Sequence, residues 1–178
     1  MSQVLLCISL LAVGFASLGC RRNELRPNAI RPEWGVILSA EEAQKLPGTC
    51  VSPIPMDLSG RWDPARADID RLEKRLPDVL ETALARVILE EGETLPQSAD
   101  YYRQYAGTYH MGRRAVYVCG LHRTIVELLE PQLWAREAVG VDDGGIAVFG
   151  LVYDVDADAF GPIQFEGRFS GSVRMRRL

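Results

Sequence analysis

The chain has 178 residues, 47% of them hydrophobic and 25% charged, which is typical of a folded domain and excludes the composition of disordered chains. The formal net charge is -4, and basic residues are scattered rather than gathered in one stripe, which argues against nucleic acid as a partner. We expect one α+β domain at residues 60–178, preceded by a leader at 1–19 and a tether with irregular structure at 20–59.

Residues 1–19 carry no charged side chain and are mostly apolar from position 4 onward. As a helix, residues 4–19 would be roughly 24 Å long, shorter than the roughly 30 Å hydrocarbon core of a bilayer. The run therefore favours an export signal peptide over a permanent membrane span. The alternatives are cleavage after Ala16, which would release a free exported product, and retention of the leader as an uncleaved anchor.

Cys20 ends the segment Ala-Ser-Leu-Gly-Cys, which resembles the lipobox of bacterial lipoproteins, although Ser17 stands where that family usually has an apolar residue. In that family the cysteine receives a diacylglycerol before the leader is cut. The resemblance implies lipidation of Cys20 and contact with a membrane through the acyl chains. It places the domain at the bacterial cell envelope, facing the periplasm or the exterior. Arg21, rather than Asp, follows Cys20, which by resemblance to enteric sorting rules would permit outer-membrane delivery.

The segment 20–59 contains many prolines and no sustained hydrophobic period, so irregular structure is predicted there. One short helix is predicted where Ser39 and Glu42 form a capping box, with Pro47 and Gly48 ending it.

A long helix is predicted next, because Asp63 and Pro64 are typical of a helix start and apolar residues follow with a period of 3.6 as far as Ile88. Pro77 lacks an amide donor in the middle of this pattern, so we expect the helix to be kinked or broken there.

Aromatic and β-branched residues become frequent after position 100, which predicts strands. Met111 and Gly112 separate two such runs, as the corner of a hairpin does. In the second run apolar side chains occur on both faces, so this strand is predicted to be central and covered on both sides. A second hairpin is predicted from residues 146–154 and 160–165, and residues 125–129 fit a short helix.

The predicted order is one long N-terminal helix followed by about four antiparallel strands, with the helix packed on the sheet. This order is similar to that of cystatin-like α+β rolls. The segment Asp-Tyr-Tyr-Arg-Gln-Tyr-Ala-Gly at 100–107, with His122 and the runs at 116–118, 143–145 and 149–154, resembles a group of small uncharacterised bacterial envelope proteins. That resemblance implies a bacterial origin and no particular activity.

Two cysteines, Cys50 and Cys119, lie in the predicted mature domain. In an oxidising compartment such a pair invites a disulfide, which would join the irregular N-terminal segment to the central strand. The alternative is two unpaired cysteines, with Cys119 packed as a small apolar residue.

Polar and aromatic side chains supply the remaining candidate chemistry. His122 with a carboxylate from Asp100, Asp142 or Asp143 would suit a small hydrolase-like enzyme. Tyrosines 101, 102, 105, 109 and 117, interleaved with arginines 103 and 114, would suit an exposed glycan-binding face, although packing within a sheet explains the same residues. The candidate functional surface comprises Tyr102, Arg103, His122, Asp142 and Asp143.

The acids at 154, 156 and 158 alternate as in a calcium loop, but Ala159 and Phe165 occupy its glycine and glutamate positions, so a polar hairpin turn is favoured. No metal site, cofactor or catalytic residue is predicted. The main expectation is a lipid-anchored binding or structural module whose partner is an envelope protein or the cell wall, and the hydrolase-like enzyme is the alternative.

Overall fold

The computed structural model describes residues 32–46, 50–51, 58–87, 89, 94–130, 132–142, 144–166 and 174–176. The predicted leader, Cys20 and Asp143 lie outside these residues. A mixed sheet of seven strands forms the centre of the described part. Hydrophobic clusters cover both faces of this sheet.

The strands, in chain order, are β1 (Gly35–Ile37), β2 (Leu58–Ser59), β3 (Tyr101–His110), β4 (Arg113–His122), β5 (Gly140–Asp142), β6 (Gly145–Asp154), β7 (Ala159–Phe160), β8 (Gln164–Glu166) and β9 (Arg174–Arg176). The helices are α1 (Ala40–Lys45), α2 (Arg66–Leu84) and α3 (Arg123–Val126). Short 3-10 turns occupy Pro32–Trp34, Ser98–Asp100 and Leu133–Ala135.

Strands β3, β4 and β6 form the antiparallel centre of the large sheet. On the outer side of β3, β1 pairs in parallel and β2 pairs antiparallel. Strands β7 and β8 pair with β6, and β5 pairs with β9 in a separate two-stranded sheet. The large sheet is therefore mixed, with its longest strands in the middle.

The predicted fold class is wrong. Instead of a long N-terminal helix on about four antiparallel strands, the described residues contain one sizeable helix, α2, in the middle of the chain, and the larger sheet has seven strands. The expected similarity to a cystatin-like roll, which rested on the same order of elements, is therefore also wrong. Strand β1 precedes α2 and pairs with β3 far along the chain. Strands of two or three residues are too short to show alternation, so tertiary contacts decide where they form.

Helix α2 begins at Arg66 rather than at Asp63, because the carboxylate of Asp68 accepts a hydrogen bond from the backbone N–H of Ala65 at 3.2 Å and so caps the helix. The helix then continues through Pro77 without a break. Proline leaves the carbonyl of Glu73 without its helical donor. Buried leucines on both sides of Pro77 hold the two halves against the sheet; they are Leu72, Leu76, Leu80 and Leu84.

The prediction for β4 is confirmed, since it pairs with β3 on one side and β6 on the other. Val116 and Val118 pack in the cluster under α2, whereas Tyr117 and Cys119 pack in the cluster on the opposite face. Both faces of this strand are therefore covered.

Two local predictions are also confirmed. The hydroxyl of Ser39 accepts the backbone N–H of Glu42 at 3.3 Å at the start of α1. Met111 and Gly112 have φ values of 50° and 75° at the turn between β3 and β4, as a tight two-residue hairpin requires.

Gly120 on β4 offers a direct test of the packing beneath α2. A Cβ atom at this position would overlap the buried ring of Phe149. We expect Gly120→Ala to lower the free energy of unfolding by about 3 kcal/mol, measured by urea denaturation. The matched control is Gly112→Ala, where a Cβ meets nothing within 4 Å and only the positive φ is strained, at about 1 kcal/mol. Equal losses in the two variants would contradict this packing.

Candidate functional site

Cys50 and Cys119 are joined by a disulfide, with Cα atoms 5.9 Å apart. Both residues are buried, at 2% and 0% exposure. The Cys50 sulfur lies 3.4 Å from the carbonyl oxygen of Phe149, and the Tyr117 hydroxyl donates to the carbonyl of Val51 at 3.3 Å. The bridge therefore holds residues 50–51 against β4 and β6.

Arg103, predicted as part of a functional surface, is fully buried under α2. Its guanidinium lies 2.8 Å from the carboxylate of Glu73 and donates to the carbonyl of Tyr101 at 2.6 Å. The Tyr105 hydroxyl donates to the same Glu73 carboxylate at 2.6 Å, and burial raises the pKa of this phenol. These bonds satisfy a buried ion pair that fixes α2 on β3, so Arg103 has a structural role.

Gln104 binds the segment that covers the opposite face of the sheet. It is not among the candidate residues identified from the sequence. Its fully buried amide nitrogen donates to the carbonyls of Trp134 and Glu137, at 2.5 and 2.6 Å. Its amide oxygen accepts from the backbone N–H of Val139 at 3.1 Å. The sequence signal was a polar residue at an inward-facing position of a hydrophobic strand, because a buried amide needs partners.

Tyr102 lies between two tryptophans, and we call these three residues the aromatic cluster. Its ring stacks on that of Trp34, with centroids 4.1 Å apart and planes at 8°. Trp134 packs against Tyr102 at 4.6 Å and 66°. All three side chains remain partly exposed. The two tryptophans are distant in sequence from Tyr102, so spacing gave no sign of the cluster.

The broader aromatic face considered for the tyrosines is not present. Tyr101, Tyr105 and Tyr117 are fully buried, as the packing alternative requires. Tyr102 and Tyr109 keep partial exposure.

His122 caps the short helix α3. Its Nδ1 atom lies 2.9 Å from the hydroxyl of Thr124 and accepts the backbone N–H of the same residue at 3.4 Å. Its ring packs edge-on against Tyr101. Asp100, a candidate partner, accepts the backbone N–H of Gln97 at 2.9 Å and lies 3.8 Å from Arg123. Asp142 lies in β5.

The three acids of the calcium-like segment each pair with an arginine. The pairs are Asp154 with Arg113 at 3.2 Å, Asp156 with Arg114 at 2.6 Å and Asp158 with Arg75 at 3.0 Å. These contacts fit the predicted polar turn. Within the described ranges, no group of three or more His, Cys, Asp or Glu residues is arranged to hold a metal ion.

Comparison with known proteins gives no matching family model, curated protein or solved structure. Among the helices that the structure describes, none is both long enough and apolar enough to cross a bilayer.

The cap at His122 predicts a pH-dependent stability. Burial lowers the pKa of His122 below its usual value of 6.5, and the neutral ring accepts the Thr124 amide. The unfolded chain therefore binds the proton more tightly, so this contribution is complete above pH 6.5 and is lost as the pH falls toward the lower folded pKa.

We expect His122→Asn, whose side-chain oxygen preserves the cap, to remove this pH-dependent component. The free energy of unfolding of wild type and variant is measured by urea denaturation at several pH values between 8 and 5. The difference between the two proteins is then compared across this range. A difference that does not change across this range would refute the capping account.

Proposed function

We propose that the chain is an exported envelope protein, anchored to a membrane through a lipid on Cys20, whose domain binds an envelope protein or the cell wall. The buried bridge between Cys50 and Cys119 carries the proposal. Disulfides of this kind form and persist in oxidising compartments and are rare in the reducing cytosol. The bridge therefore supports the reading of residues 1–19 as an export signal.

The surroundings of the bridge favour a permanent structural role. Both cysteines are buried, and residues 50–51 are held against β4 and β6 by the contacts of Phe149 and Tyr117. A redox-active bridge needs an exposed sulfur that a thiolate can attack. Since this bridge is enclosed, an oxidising environment during folding is the simplest condition for its formation.

The number of residues between Cys20 and the domain limits the distance of the anchored domain from the membrane. Pro32, the first described residue, follows Cys20 by twelve positions, which corresponds to at most about 40 Å of extended chain. The domain would therefore stay close to the membrane, with Arg21 and Arg22 at the headgroups.

The binding part of the proposal is supported by the aromatic cluster, whose rings are partly exposed although the residues that position them are buried. The hydrolase-like alternative would require a carboxylate bound to one ring nitrogen of His122, whereas the contacts described for this ring are with Thr124 and Tyr101. The geometry therefore favours the binding module.

The anchor is tested by Cys20→Ala, with Cys7→Ala as the matched control. Because acylation needs the thiol of Cys20, the variant should move from the membrane fraction to the soluble or precursor pool. Cys7 lies in the predicted leader and is removed with it, so Cys7→Ala should fractionate as wild type does. The measurements are immunoblots of membrane and soluble fractions and the mass of the purified N-terminal peptide.

Unchanged membrane fractionation of Cys20→Ala, together with an unmodified wild-type N-terminal peptide, would overturn the anchor.

A further inference from the structure

We propose that the aromatic cluster of Trp34, Tyr102 and Trp134 is a binding site for the glycan strands of the cell wall. This inference rests on the proposed envelope location and names the partner of the binding module. Of the three residues of this surface, the sequence indicated only Tyr102.

The cluster is built from three separate backbone segments that meet at β3. Trp34 directly precedes β1, whose Gly35 pairs with Arg103 of β3, and Tyr102 is the neighbouring residue of β3. The backbone carbonyl of Trp134 accepts a hydrogen bond from the buried Gln104 amide, and its ring packs against Tyr102. A ligand would therefore meet preformed rings and immobilise few side chains, which reduces the entropic cost of binding.

Polar residues next to Trp134 in sequence suit a sugar. A pyranose ring packs its C–H face on an aromatic ring and offers hydroxyl groups at its edge to planar polar side chains. Gln132 and Arg136 flank Trp134 in the same turn, are exposed, and are 3.4 Å apart at their polar atoms. The guanidinium and the amide would bind adjacent sugar hydroxyls.

The exposed charges next to the two tryptophans in sequence are of both signs, because Arg136 is basic whereas Glu33 and Glu137 are acidic. Exposed Glu33 adjoins Trp34, and exposed Glu137 follows Trp134 by three residues. Such a mixture lacks the polybasic character that attracts anionic headgroups, and an N-acetylglucosamine unit of a glycan is uncharged.

The distance of the cluster from the membrane is also compatible with binding to the cell wall. Trp34 follows Cys20 by fourteen residues, so in the anchored protein it would lie within about 50 Å of the membrane, at the end of the domain that the tether enters.

The test uses the purified exported protein and the tetrasaccharide of β-1,4-linked N-acetylglucosamine. Two of the three tryptophans, Trp34 and Trp134, belong to the cluster, so wild-type tryptophan emission should change saturably with the sugar. Calorimetric titration should show that Trp134→Ala weakens the affinity by about ten-fold or more.

The matched control is Met111→Ala, which removes an apolar side chain that is 75% exposed at the hairpin turn, where β3 ends. Its affinity for the tetrasaccharide should stay within about two-fold of wild type, since Met111 lies outside the cluster. If Trp134→Ala fails to fold by circular dichroism, Trp134→Phe should fold and bind more weakly than wild type.

Several results would overturn the site: no saturable binding of the tetrasaccharide, an equal loss in Met111→Ala, or wild-type affinity in a folded Trp134 variant. Binding to phosphatidylcholine–phosphatidylglycerol vesicles that depends on Trp134, without sugar binding, would assign the cluster to a lipid surface instead. If the protein is lipidated but does not bind the tetrasaccharide, only the glycan-binding proposal is refuted. If it is not lipidated but binds the tetrasaccharide, only the proposed anchor is refuted.

Discussion

Burial of β4 on both faces is the constraint on which the rest of the structure depends. The bridge between Cys50 and Cys119 secures the cover of one of these faces. Helix α2 covers one face through a continuous row of leucines. The other face is covered by short segments from either side of α2, which lack a long apolar stripe of their own. A covalent link across 69 positions stabilises such a cover by about 4 kcal/mol in the chain-entropy model, because it restricts the unfolded chain.

Two adjacent residues of β3 secure these covers from within the sheet. Arg103 points toward α2 and binds Glu73, whereas Gln104 points the other way and binds the carbonyls of Trp134 and Glu137. Because successive side chains of a strand alternate between faces, one dipeptide fixes a layer on each side. The Gln104 anchor also fixes the backbone of Trp134, so this part of the aromatic cluster depends on how the core is held together.

Local patterns predicted local structure well. Ser39 with Glu42 identified the start of α1, and the alternation of β4 identified a central strand, because caps and strand periodicity depend on neighbouring residues. The fold class could not be obtained in this way, since β1 is three residues long and pairs with β3 across the whole of α2. The site was partly visible: Tyr102 was selected, but its partners Trp34 and Trp134 are brought to it only by tertiary structure.

The bridge between Cys50 and Cys119 is the covalent link that holds the cover on one face of the sheet. The decisive measurement is urea unfolding of the exported protein with the bridge intact and after reduction and alkylation of Cys50 and Cys119. We expect the free energy of unfolding to fall by about 4 kcal/mol after alkylation, or the alkylated chain not to fold. Superimposable unfolding curves, or free thiols at both positions in the exported protein, would contradict it.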